Sequence, residues 1–310
     1  MDRFIQLRAG EYTATINQNR GANCISLRHS GYGARILREP DYERLDNPYL
    51  YGMPILYPNN RISGGRFMFE GREYSFPINE PSLNNHIHGF LHETPFEVAE
   101  LGENFVVCVY RATKEKPYCN FPHEFSITIT YRLSEHGLVC DTEICNESEK
   151  NMPSFLGFHT TFNIPFISDG ESEDVRVLCE VKDLVERNMQ VYLPTGKILP
   201  DDEITKKLCQ GEFMPFEAVI SRQYLKNGGG RVALNDIKRK ISVVYEMDEK
   251  FGFRLLYNGN ADEYICIEPQ TCMANAPNAP FDRVFAGFDY IKPNEKKLYH
   301  TRIYIKEIGE

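Results

Sequence analysis

Phe125, Ile127, Ile129, Tyr131 and Leu133 are apolar, and the residues between them, Ser126, Thr128, Thr130 and Arg132, are polar. Side chains of an extended chain alternate between two faces, so this run buries one face only as a β-strand. A helix would scatter the same residues around its circumference. "LVCDTEI" (138–144) follows after the turn residues "SEHG", which makes a hairpin. Tyr299, Thr301, Ile303 and Ile305 repeat the alternation near the end of the chain, and "YTATI", "NCISLR", "ISVVYEM", "GFRLLY" and "YICIE" are further short strands. Helical periodicity is confined to "DEITKKLCQ" (202–210), with Asp201 or Asp202 as N-cap. Strands this frequent with so few helices specify an antiparallel all-β sandwich or barrel, not a parallel α/β sheet. No linker, repeat or composition break interrupts the 310 residues, so one domain over 1–310 is expected. "NGGGR" (227–231) lacks phosphate-loop spacing and leads into a strand, so it is read as a hairpin turn.

The composition narrows the partners. Against 35 Lys and Arg stand 44 Asp and Glu, a net charge of −9 with no acidic block, which disfavours nucleic acid and anionic membranes. The N-terminal "MDRFIQLRAGEY" has no apolar signal segment, and no apolar run reaches the roughly 20 residues a membrane span needs. The nine cysteines are odd in number, scattered and without a CxxC pair, which suits reduced core thiols. A cytoplasmic location is expected.

Three clusters depart from a plain strand vocabulary. "NNHIHGFLHE" (84–93) holds three of the eight histidines. On a strand, His86 and His88 would share a face and, with Glu93, approximate a cupin-type metal ligand set, although the second half of that motif is missing. A histidine before a glycine at a strand end also serves as an ordinary satisfied polar residue. "LGFHTTFNIPF" (156–166) places His159 among aromatics. In "YICIEPQTCMANAPN" (264–278), Glu268 ends an apolar run and Pro269 is expected to stop the ladder. A carboxyl so buried has a raised pKa, which suits acid–base work near neutrality.

Taken in order, these segments resemble the aldose 1-epimerase (galactose mutarotase-like) family. "GMPILYPNNRISGGRFMFEGREY" (52–74), "NNHIHGF", "MPSFLGFHTTFNIPF", "VYLPTGKI" (191–198) and "ICIEPQTCMANAPN" follow the family's motifs over more than 200 residues, the fourth as a Leu-Pro-Thr-Gly turn. The resemblance implies a β-supersandwich and a mutarotase that needs no metal and no organic cofactor. It implies Glu268 as base, His159 as the acid at the ring oxygen, and His88 sharing that acid role. Arg61, Asn60 and Gln270 would bind the substrate, an aldose with or without a phosphate group, in a monomer or homodimer. One departure stands out: Ser221 and Arg222 occupy the place of the family's sugar-binding aspartate, with Glu217 nearby. Two readings from other classes are a non-catalytic sugar-binding or sensing protein and a cupin-like metalloenzyme using His86 and His88.

Overall fold

Phe125–Ser134 forms the strand that its alternation demands, with Phe125, Ile127, Ile129, Tyr131 and Leu133 buried and Arg132 exposed. It pairs with Gly137–Asn146 through a tight turn that sets Ser134 opposite Gly137. The computed structural model describes residues 4–41, 47–259 and 261–309. The hairpin lies in an antiparallel sheet of eight strands. Their order is Glu97–Leu101, Phe105–Ala112, Phe125–Ser134, Gly137–Asn146, Lys296–Glu307, Ile241–Met247, Arg231–Asp236 and Val175–Cys179.

A second large sheet carries Leu193–Leu199, Val181–Asn188, Ser221–Lys226, Phe253–Tyr257, Tyr264–Gln270, Gly157–Phe158 and Ile55–Leu56 in that order, and Thr160–Asn163 also pairs with Tyr264–Gln270. The two sheets meet where Phe162 packs on Tyr245 with ring centroids 5.7 Å apart and Thr160 Oγ1 lies 3.0 Å from the Tyr245 hydroxyl. One hydrophobic cluster runs from Ile5 in an N-terminal four-stranded sheet to Ile305 in the last strand. The result is an all-β supersandwich.

The helix read at 202–210 forms as Glu203–Gln210. Asp202 caps it by accepting from the Thr205 backbone N–H at 2.9 Å. All nine cysteines are free, and six are buried. Among the described residues no helix is long and apolar enough to cross a membrane.

Two turn expectations fail for topological reasons. "NGGGR" is not a hairpin, because Ser221–Lys226 and Arg231–Asp236 belong to different large sheets. A Cβ on Gly230 would stand 1.9 Å from the Met247 carbonyl oxygen, so the glycine serves a close backbone approach between strands. "LPTGK" lies inside the strand Leu193–Leu199, and the turn precedes it at 189–192.

Candidate functional site

Glu268 lies on Tyr264–Gln270, a strand buried at all seven positions because it runs inside the sheet with both faces covered. Pro269 does not end this strand, which continues to Gln270 with Pro269 paired in register to Arg254. Its missing N–H acts on the other side. Gly157 pairs with Gln270 and Thr160 with Ile267, so counting inward from either pair sets Phe158 opposite Pro269 and His159 opposite Glu268. The neighbouring strand is split at that point into Gly157–Phe158 and Thr160–Asn163, with His159 in the gap. Directly opposed residues of an antiparallel pair stand close enough for their side chains to touch. His159 Nε2 accordingly lies 3.2 Å from Glu268 Oε1.

His88 arrives by another route. The strand alternation that would have put it beside His86 stops at Ile87, because His88 takes a left-handed φ of 62° and Gly89 one of 64°. A Cβ on Gly89 would meet the Tyr57 carbonyl oxygen at 1.9 Å, so only glycine allows this turn. It swings the His88 ring to 5.5 Å from the His159 ring. His86 goes elsewhere: it stacks on Phe76 at 4.8 Å, and its Nδ1 lies 2.7 Å from the Pro77 carbonyl oxygen. The shared face expected for His86 and His88 is therefore not formed. Among the described residues no group of three or more His, Cys, Asp or Glu is arranged to hold a metal ion. Tyr49 covers the cluster, with its ring 4.7 Å from His88, 4.4 Å from His92 and 6.0 Å from His159.

A relay of amides fixes the carboxyl. Gln270, two residues on and so on the same face, donates from Nε2 to Glu268 Oε2 at 3.1 Å. Gln270 Oε1 accepts from Gln223 Nε2 at 2.6 Å and Asn60 Nδ2 at 3.3 Å, and Gln223 Oε1 accepts from the Ala274 N–H at 3.1 Å. Gln270 is fully buried behind Glu268 and does not line the cleft, whereas Asn60 reaches its wall. Arg61 also lines the cleft, but its guanidinium is held by Glu80 in a bidentate pair at 2.8 and 2.7 Å and lies 4.6 Å over the Tyr192 ring.

The cleft above these residues has a volume of about 710 Å³ and a mixed wall that includes Tyr49, His88, His159, Arg187, Tyr257 and Glu268. Burial pushes the Glu268 carboxyl up to about 8, partly offset by Arg187, the Gln270 hydrogen bond and Arg61. Burial pushes His159 down to about 3 and His88 well below the usual histidine range. Around neutral pH the pair therefore keeps one proton, on Glu268, and both imidazoles are neutral. Among the described residues, Nδ1 of His88 and of His159 are buried without hydrogen-bond partners.

Ser221, at the place of the expected aspartate, lines the cleft and accepts from Arg187 Nη2 at 3.0 Å through its hydroxyl. Arg222 points away from the cleft to Asp202, 2.7 Å distant, and Glu217 pairs with Lys207. Arg187, Tyr49 and Glu80 were not legible as site residues. Only Arg187 left a trace, as a cation at the buried parity of "VKDLVERN", which the strand irregularities at Lys182/Leu184 and Val185/Arg187 obscure.

The sequence profile of the aldose 1-epimerase family matches residues 3–304. The chain belongs to the aldose 1-epimerase family. A galactose mutarotase-like protein from Clostridium acetobutylicum is 31% identical, with a TM-score of 0.93 over 99% of this chain and 98% of that one. Galactose 1-epimerase from Lactobacillus acidophilus NCFM, 14% identical, shares the fold with a TM-score of 0.71 over 99% of each chain. The uncharacterized protein YihR of Escherichia coli K12 is 30% identical over 156 residues, and the plasmid protein LacX of Lactococcus lactis 31% over 88 residues. The matched stretch spans about half the length of YihR (48%) and 29% of LacX. The architecture is thus the galactose mutarotase-like supersandwich, and the family is one of isomerase-type, sugar-binding proteins.

Proposed function

We propose that this protein is a cofactor-independent aldose 1-epimerase that interconverts the α and β anomers of an aldose. The supporting observation is the acid–base pair on the cleft floor, His159 Nε2 at 3.2 Å from Glu268 Oε1 with the His88 ring beside it. Ring opening moves the proton of the C1 hydroxyl to a base and puts a proton on the ring oxygen. The C1–O5 bond breaks as C1 becomes an aldehyde carbon. Rotation about C1–C2 and closure reverse every transfer on the other face. No electrons leave the sugar, and the pair begins and ends with one proton. Opening starts from the minor form in which that proton has crossed the 3.2 Å contact to His159 and left Glu268 ionised. Glu268 then takes the C1 hydroxyl proton as His159 protonates O5; in closure the protonated Glu268 returns the proton to O1 and neutral His159 takes the one on O5.

The raised Glu268 and lowered His159 pKa values leave the pair the single proton this requires, held at rest on Glu268 in the form that closure uses; a site that held two protons or none could run neither direction. His88 donates near the ring oxygen, and Arg61 and Asn60 hold sugar hydroxyls from the cleft wall. Each well-placed acid or base contributes on the order of 10²–10⁴ in rate. The test is anomer exchange by NMR saturation transfer on glucose, galactose, xylose and glucose 6-phosphate. Acceleration that Glu268→Gln abolishes supports the reading. Sugar binding with no acceleration in the unaltered protein overturns it in favour of a carbohydrate-binding or sensing role.

A further inference from the structure

Arg187 has no part in the acid–base pair, yet it is 8% exposed and lines the cleft. It stands beyond an irregularity in the strand Val181–Asn188, where Val185 pairs with Ile198 but Arg187 with Pro194. Such a bulge re-aims the side chain that follows it. One end of the guanidinium is anchored: Nη2 donates to the backbone oxygen of Ser221 and, at 3.0 Å, to its hydroxyl. The other end is not. Among the described residues, buried Nη1 has no hydrogen-bond partner.

The charge is as incomplete as the hydrogen bonding. The carboxylates lining the cleft among the described residues are Glu80 and Glu268. Glu80 is spent on Arg61 in a two-point pair at 2.7 and 2.8 Å. Glu268 is bonded to Gln270 and His159 and, around neutral pH, holds its proton. The lining histidines are neutral. Burial lowers the Arg187 pKa to about 10, which leaves it fully charged at neutrality. A buried cation without a counter-charge is costly, and a ligand that supplies the charge recovers that cost. A guanidinium is a donor-only group whose planar fork matches the geometry of an oxyanion.

From this we infer that the cleft takes an acidic sugar, an aldose bearing a carboxylate, sulfate or phosphate, and that Arg187 Nη1 binds the oxyanion. This names the substrate class for the function proposed above and rests on that reading. Ser221 is then a positioning residue that holds one face of the guanidinium so that the other faces the ligand.

The experiment compares glucose with glucuronate, glucose 6-sulfate and glucose 6-phosphate, using the full chain and its R187Q and R187K variants. Anomer exchange gives kcat/KM, and ligand-induced shifts of the thermal midpoint give binding independently of turnover. A charge-assisted hydrogen bond to a buried group corresponds to roughly 10- to 100-fold in affinity. The expected result is a preference of that size for at least one charged sugar, and which of the three is preferred identifies the oxyanion. R187Q should lose most of the charged-to-neutral ratio and R187K should recover part of it. Equal handling of charged and neutral sugars by the unaltered protein overturns the inference, even should R187Q fail to fold. So does an equal loss for both kinds in R187Q, which would make Arg187 a ligand for sugar hydroxyls. Charged sugars that bind selectively but show no exchange would leave this inference standing and remove the mutarotase reading.

Discussion

Replacing Glu268 by glutamine should abolish turnover and, above neutral pH, make the protein more stable. The two side chains have the same shape, and a glutamine can still accept from Gln270 Nε2 and face His159, so packing is kept. What changes is the proton. In the unfolded chain the carboxyl ionises around its ordinary 4.5, but in the fold it does so at about 8. Between those values the unfolded state releases a proton that the folded state keeps. A pKa raised by folding gives stability that is complete below 4.5 and disappears as pH climbs through 8. The interval of about 3.5 pH units, at about 1.4 kcal/mol each, corresponds to about 5 kcal/mol. The glutamine variant has no such loss. The lowered His88 and His159 pKa values act in the opposite sense as pH falls below about 6.5, but that contribution is common to both proteins and cancels in their difference. Urea unfolding of both proteins at pH 5 and pH 9 measures it. The variant's advantage should grow by about 4 kcal/mol over that span, since pH 5 already lies about half a unit above 4.5. A difference that stays constant with pH would refute the argument, since it would mean that Glu268 ionises in the fold as it does in water.

Activity should hold from below neutrality up to about pH 8 and then fall about tenfold per unit as the Glu268–His159 pair loses its one proton; a corrected pH–rate profile that rises through pH 8 contradicts the one-proton pair. His159→Ala and His88→Ala should each lower kcat at least a hundredfold while the chain stays folded. His86→Ala should spare kcat by comparison and instead lower the thermal midpoint, because His86 is buried against Phe76 and bonded to the Pro77 carbonyl. Gly89→Ala should cost more than 2 kcal/mol in unfolding free energy, because its Cβ would be forced to within 1.9 Å of the Tyr57 carbonyl at a φ of 64°. Unchanged urea midpoints would show that the backbone there gives way.

Strands such as 125–134 and 299–305 were legible because they bury one face and so write the burial into alternate residues. Glu268 and His159 were legible as candidates for a different reason: they are polar interruptions of apolar runs. What could not be read was how the chain leaves the strand pattern. Nothing in "HIHG" says that His88 turns left-handed and parts from His86, since that depends on Tyr57 pressing on Gly89 from a distant segment. Arg187 was hidden likewise, because an irregular strand breaks the count by which a reader assigns faces. The glycines of 227–231 look like a hairpin until the topology assigns their flanking strands to separate sheets.

The amide relay behind Glu268 has a consequence for the carboxyl itself. Gln270 Oε1 already accepts two hydrogen bonds, so its amide cannot rotate, and its N–H must face Glu268 Oε2. A free carboxylate has two interchangeable oxygens. Here one is permanently occupied as an acceptor and the other, Oε1, is left to His159 and the cleft. The group has lost its twofold symmetry, and a proton arriving or leaving has a single address. The unit "Glu-Pro-Gln" is thus short for a reason: the proline opens the gap that admits His159, and the glutamine one step beyond it decides which oxygen His159 meets.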